Sequence, residues 1–251
     1  MTRHTPRTTG GACAVVLAAA YVLAGATYLA LPADQKGGTI LHEPARYLGS
    51  LAEGSTLLVA NHLILGIGAL LGIAVVIGVR DWARPLGAGW LPWVSTLGIL
   101  GFSVTAVDNF QIAALDPARA ADFARADPVA RTAIAVTNSM VSIDPEMWLS
   151  FGLSGVWILG ASWLVLRGRL LPPVHAVLGL LAATCYLLIE VGSVLDSPLL
   201  LLASAGVGGL VVGPIWYAWL GLALLRSDRA EEAPASSSPG LRVAASAGHV
   251  P

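Results

Sequence analysis

Three side chains that can ionise lie inside long apolar stretches: His62, Asp108 and Glu190. Amides stand beside them, Asn61, Asn109 and Gln111. An imidazole with two carboxylates exchanges protons near neutral pH, and two acids in one site titrate as a coupled pair. Carboxylate and amide oxygens also suit a cation or a small polar ligand. A charge in hydrocarbon costs at least ~2.5–3.5 kcal/mol on insertion scales, so such residues face a bundle interior or water. Two readings stand side by side. In one, the six residues are interhelical hydrogen-bonding glue, worth ~0.6 kcal/mol per pair. In the other, they line a pocket that binds a proton, a cation or a small ligand.

Sharper chemistry lacks its signature. No short His/Cys spacing marks a metal site. No nucleophile elbow or phosphate loop is present. The single lysine, Lys36, falls between apolar blocks, so no Schiff-base cofactor is expected. The histidines are not paired for haem: His4, His42 and His249 lie outside the blocks, and His175 lies at the end of one. Neither a catalytic residue nor a cofactor is assigned. Cys13 and Cys185 read as small buried hydrophobes.

The elements that must carry these residues follow from composition. Of 251 residues, 56% are hydrophobic and 12% charged, against roughly 25% charged in soluble domains. The apolar residues collect in six blocks, near 12–31, 56–79, 91–115, 147–166, 172–195 and 198–225. Each is long enough for a ~30 Å hydrocarbon core at ~1.5 Å per residue. Helices satisfy their own backbone in lipid. The expected fold is all-α, a polytopic bundle of six transmembrane helices over 12–226, with a short segment 1–11 before it and a disordered tail 227–251 after it. A net charge of −1 offers nothing to nucleic acid. The expected partners are the bilayer and a second copy or another membrane protein.

Arginine placement orients the bundle. With the N-terminus inside, nine of the fourteen basic residues fall in inner segments, as the positive-inside rule requires. Both chain ends are then cytoplasmic, in the plasma membrane. Trp82, Trp90, Trp93, Trp163, Trp216 and Trp219 gather toward the same interface. A cleaved signal peptide is the alternative for the first block; its apolar run to Leu31 favours a retained helix. On this alignment His62, Asp108 and Glu190 share the outer third of the bilayer. Gly101, Val104, Thr105, Asp108 and Gln111 share one face of the third span. The inner halves of the spans offer few polar side chains, which favours binding over conduction.

The connectors carry signals as well. Asp116-Pro117, Asp127-Pro128 and Asp144-Pro145 each read as an N-cap before a first-turn proline. They predict short helices near 117–126 and 128–142, then the fourth span. A further short helix is expected after Pro44. Gly213-Pro214 is the expected bend in the long last block. Gly68-x-x-x-Gly72 and Ala205-x-x-x-Gly209-x-x-x-Gly213 are small-residue runs. They predict close packing of the second and sixth spans, against each other or against a second copy.

The long outer loop, the short basic inner loops and the ending Gly213-Pro-Ile-Trp-Tyr-Ala-Trp-Leu-Gly-Leu-Ala-Leu-Leu-Arg226 resemble a family of uncharacterised six-span bacterial membrane proteins, classed only as a domain of unknown function. The resemblance covers most of 12–226 and implies no activity. The expected function is a membrane protein with an outward polar pocket for a small ligand or cation. A proton- or cation-coupled transporter is second and an outer-leaflet enzyme third.

Overall fold

The structure is a computed structural model; it describes residues 5–36, 39, 43–138, 143–144 and 147–232, with side chains to 227. Six helical stretches are long and apolar enough to cross a membrane. They are α1 (Pro6–Ala30), α3 (Thr56–Ala83), α4 (Leu91–Arg125), α6 (Leu153–Gly168), α7 (Pro173–Val194), and α8 (Pro198–Ala205) continued by α9 (Gly213–Glu232). Two short helices, α2 (Pro44–Glu53) and α5 (Pro128–Asn138), lie at one end. Among the described residues there is no strand. The protein is a multi-pass membrane protein built as a helical bundle.

Exposure shows which solvent surrounds it. Val16, Ile67, Leu100, Trp163, Val177 and Leu202 all point outward from the spans. Lipid tolerates that belt and water does not. Each span packs mainly on its chain neighbours: α1 on α3, α3 on α4, α4 on α6, α6 on α7 and α7 on α8. The first also packs on α9, so the six close into a ring. Aromatic side chains fill the ring. Phe102 meets Trp157 edge to face at 5.8 Å, Trp157 meets Trp216 at 5.9 Å, and Trp216 meets Tyr217 at 4.8 Å.

Glycine sets how closely α1 approaches its neighbours. A Cβ on Gly10 would stand 2.8 Å from the Gly78 Cα, and one on Gly11 would stand 2.9 Å from the Gly221 oxygen. The helix is thus held backbone to backbone between α3 and α9, and Arg7 adds an ion pair to Asp81 at 2.9 Å. The small-residue runs expected to join the second and sixth spans do something else. Gly68 receives Leu17 of α1, and Gly72 receives Phe102 of α4. Gly209 has nothing within 4 Å, Ala205 is exposed, and Gly213 meets only the Gly208 carbonyl of its own segment. Within one chain the two runs do not meet, because the ring order places α1 between them.

The expected bend is present and begins earlier. Gly206–Val212 is π-helical, and the Gly213 N–H donates to the Gly208 carbonyl. Pro214 supplies no N–H and crowds the preceding turn, so the widened turn ahead of it takes up the strain. A second π turn, Trp148–Gly152, opens the fourth span. The Asp144 carboxylate caps it, accepting from the backbone N–H of Leu149 at 3.0 Å and of Ser150 at 2.7 Å. Pro145, Glu146 and residues 139–142 lie outside the described residues.

Three boundaries differ from expectation. Asp116-Pro117 starts no helix: α4 runs unbroken to Arg125 with Pro117 inside it. An interior proline costs about 3 kcal/mol. The helix continues because Ala120 and Phe123 pack, beyond the proline, into a second apolar core with Tyr47, Leu48, Leu51, Leu58 and Ala135. The last helix extends to Glu232, past the expected end at 226, and the rest of the expected tail lies outside the described residues. The first begins at Pro6, capped by Thr5. Asp127 does cap α5, accepting from Val129 and Ala130 at 2.9 Å, and α2 begins at Pro44 as expected.

Replacing Gly78 by leucine overpacks the α1–α3 contact, which costs about 1–3 kcal/mol in well-packed interiors. The melting temperature in detergent, read by size exclusion of heated samples, should fall well below that of wild type. Gly49→Ala, where nothing stands within 4 Å, should melt with wild type.

Candidate functional site

Contacts identify which face of α4 turns to the ring interior. Gly98 lies under Trp157, Phe102 fills Gly72, Asn109 bonds to His62 and Asp116 bonds to Tyr47. Spacings of four, seven and seven put these residues on one stripe. The stripe joining Gly101, Val104 and Asp108 is rotated away from it. Gly101 meets Ser154 and the Leu149 carbonyl, so that face turns to the start of α6.

The expected residues therefore divide. Asn61 is buried and gives its amide to α1, donating to the Ala24 carbonyl at 2.6 Å and to Thr27 Oγ1 at 2.7 Å. It is a clip between α1 and α3. His62 and Asn109 do meet, Nδ1 to Oδ1 at 2.8 Å. Asn109 Nδ2 donates to the Thr105 carbonyl at 2.8 Å, which fixes its Oδ1 toward the imidazole. Nδ1 is then the protonated nitrogen of His62 in this assignment, and Nε2 is left as an acceptor. Asp108 acts on His62 electrostatically from the next position along α4. Gln111 is half-buried, and its Oε1 has no hydrogen-bonding partner.

Glu190 is elsewhere. Its carboxylate lies against Gly152, at 3.6 Å from where a Cβ would be. Gly152 belongs to the same α6 turn that touches Gly101. Asp108 is seven residues beyond Gly101, about 10 Å further along the axis. The two carboxylates are thus about two turns apart, not at one depth. The alignment of spans from sequence slipped because α4 is longer than its apolar block.

Four residues that the sequence did not point to complete it: Asp116, Tyr47, Arg119 and Asn138. Asp116 is 3% exposed and accepts from the Tyr47 hydroxyl at 2.7 Å. Arg119 Nη1 lies 3.4 Å from its other oxygen and donates to Asn138 Oδ1 at 3.1 Å. These groups come from α2, α4 and α5 and form a polar knot inside the apolar cap core. Asp116 also acts electrostatically on His62. Burial and the neighbouring Asp116 carboxylate push the Tyr47 phenol well above its ordinary value. The available signal was spacing: Asp116 is seven residues after Asn109, on the same face. The Asp-Pro pair was read instead as a helix start.

No family model, curated protein or solved structure matches the chain. The site's meaning rests on its own chemistry. Two carboxylates, Asp108 and Asp116, and the Arg119 guanidinium stand along α4 within about two to three turns of the Asn109–His62 pair, which leaves the region acidic by one charge when the imidazole is neutral. Nε2 adds a lone pair. Such a place attracts a cation or a protonated amine more than an anion. Among the described residues no group of three His, Cys, Asp or Glu side chains could hold a metal ion.

Removing the Tyr47 hydroxyl leaves a buried carboxylate short of one partner, at a cost of about 1–3 kcal/mol. Tyr47→Phe should melt measurably below wild type at pH 7. The sign at high pH follows from the raised phenol. Its stabilisation is complete below its ordinary value of 10.0 and declines as the pH rises beyond that. The gap between wild type and Tyr47→Phe should therefore shrink in melts taken above pH 10.0.

Proposed function

We propose that this membrane protein binds a small cation or protonated amine at the end capped by α2 and α5, between His62 and Asp116, with Asp108 beside them. One observation carries the reading. Asp116 is buried in an apolar cap, held by Tyr47 and Arg119, about two turns along the same face of α4 from the Asn109 that orients His62. Cap cores do not need a carboxylate, and a nearby imidazole gives the acid a second use. Asn61 and Glu190 leave the binding set on this reading, Gln111 stays at its edge through an orphan oxygen, and Asn109 orients the imidazole.

The arginine distribution supports a plasma-membrane protein with both chain ends in the cytoplasm, so the site faces outward. A bacterial source accords with the resemblance noted above. A second copy, if one packs here, would use the open face of Ala205 and Gly209. A second reading, a small proton- or cation-coupled transporter, is favoured by one observation: the interior face of α7 carries Glu190 and Tyr186 near one end and buried His175 near the other, with Ser162 and Trp216 of neighbouring helices against Gly179 between them.

Purified protein titrated with sodium, potassium, calcium and ethanolamine should gain thermal stability with at least one of them, by the usual linkage of binding to melting. Asp108→Asn and His62→Ala should remove that gain. No gain with any of the four, or a gain untouched by both substitutions, defeats the reading. Orientation has its own check. In a chain with Cys13 and Cys185 replaced by serine, Val129→Cys should react with an impermeant maleimide added outside intact cells. Gly168→Cys should react only after the cells are broken.

A further inference from the structure

The ring interior holds a second set of polar groups, separate from the His62 site. One face of α7 carries Glu190, Tyr186, Gly179 and His175, at separations of four, seven and four residues. Glu190 lies one turn from the end of α7 at Val194, and His175 lies in the first turn from Pro173. Fifteen residues separate them, about 22 Å along the helix, which is most of a ~30 Å hydrocarbon core.

Phe151 packs on Tyr186 at 5.3 Å, and several of the other groups that face this stripe are polar. The Tyr186 hydroxyl stands 3.4 Å from that of Tyr21. The Tyr21 ring lies 5.7 Å from the ring of Tyr217. Trp216 comes next, 4.8 Å from Tyr217 and 5.6 Å from the imidazole of His175, centroid to centroid. A Cβ on Gly179 would collide with Ser162 Oγ and Trp216 Nε1. Those two polar atoms therefore sit against the α7 backbone, between Tyr186 and His175. From the other elements, Glu190 is faced by Gly152 of the α6 opening turn, and His175 by Trp216 and Trp219 of α9.

The inner members of this set are sealed from solvent, and several lack a partner among the described residues; Glu190 and Tyr21 are half-buried. Trp216, Tyr217, Ser162 and His175 are fully buried. Among the described residues, Tyr217 Oη, Trp216 Nε1 and Ser162 Oγ have no hydrogen-bonding partner. The His175 nitrogens lie beside the Trp216 backbone without a well-formed hydrogen bond. Buried polar atoms are almost always satisfied, and in a membrane interior ionisable residues such as Glu190 and His175 mark ion or proton paths. Water has the size and the chemistry to serve each of these atoms.

We propose that this file conducts protons through the bundle, from Glu190 at the cap end to His175 at the other. A proton enters on the Glu190 carboxylate. Each hydroxyl oxygen along the file accepts one proton and releases its own to the next, with water bridging the longer steps. Tyr21, Tyr186, Tyr217 and Ser162 both donate and accept, as a relay requires. The Trp216 N–H only donates, so it orients a bridging water. His175 takes up the proton on one ring nitrogen and gives it to water beyond the helix end. One proton enters and one leaves; no electron moves. This extends the transporter reading above by naming the ion and its route, and it does not depend on ligand binding at His62.

The test uses the full chain in liposomes that enclose pyranine, with a potassium gradient and valinomycin to drive protons inward. Wild-type vesicles should acidify several-fold faster than protein-free ones. Glu190→Gln should return the rate to the protein-free level. Tyr217→Phe removes one oxygen that has no partner, so it keeps the fold, and it should slow acidification severalfold. Thr184→Val, on the lipid side of α7, should conduct as wild type does. Wild-type vesicles no faster than protein-free ones overturn the proposal, as do Glu190→Gln and Tyr217→Phe variants that both conduct normally. A loss in Thr184→Val equal to that in Tyr217→Phe also overturns it. The cation-dependent melting of the same preparation reports separately on the His62 site, so either idea can fail alone.

Discussion

A helix in lipid satisfies its backbone and presents its side chains to hydrocarbon, so every polar side chain on a span must find the bundle axis, a neighbouring helix or an end. That constraint arranges most of this protein. Leucine, valine and isoleucine occupy the outward faces of the spans. The inward faces hold glycine, alanine, aromatic rings, further aliphatic side chains such as Val75, Ile158 and Leu220, and the few polar groups. Without a hydrophobic force between helices, packing and hydrogen bonds must hold the ring together. Gly10 against Gly78 and Gly11 against Gly221 provide the first. Asn61 reaching across to Ala24 and Thr27 provides the second. Both act on α1, which closes the ring between α3 and α9.

The cap shows a different balance. There the chain leaves the apolar blocks, and water is available to at least part of the surface. A soluble-type core forms, with Tyr47, Leu48, Leu51, Leu58, Ala120 and Ala135 at its centre. Its stability carries α4 through Pro117, where local preference alone would break the helix. The consequence is mechanical as well as structural. One continuous helix bears Asn109 in the bundle and Asp116 in the cap, so the two cannot move independently without bending at the proline. Any ligand that ties Asp116 to His62 therefore couples the cap to α3 and α4.

The bundle was legible in the sequence because the bilayer imposes a length and a composition that few other structures need. Six blocks, the helix after Pro44 and the Asp127 cap could all be read, while the first helix starts earlier than its block and the third runs ten residues past its own. The site was legible only in part. His62 with Asn109 emerged because both are polar residues inside apolar blocks. Asp116 did not, because Asp-Pro is a common helix start and only tertiary packing decides otherwise. Glu190 was placed at the wrong depth relative to Asp108, since block ends are poor markers when a helix continues past the membrane. His175 was set aside as an end residue. Nothing in a one-dimensional pattern tells a histidine at a helix start that points to water from one turned under two tryptophans.

Glu190 and His175 sit at opposite ends of one face of one helix, and α7 is also where the two π turns come together. Gly152 of the first meets Glu190, and Gly208 of the second meets Cys185 with Tyr186 beside it. A π turn widens the helix and leaves a backbone carbonyl without its usual partner. Such irregular backbone is tolerated at membrane depth only where protein or an internal cavity covers it. Both interruptions here are covered by the same half of α7. That half also carries the acid at which protons would enter. Pro214 accounts for the widening at Gly206–Val212, and where the two turns fall against α7 they meet the Glu190 carboxylate and the Tyr186 ring, two groups that need room and polar company inside an otherwise oily ring.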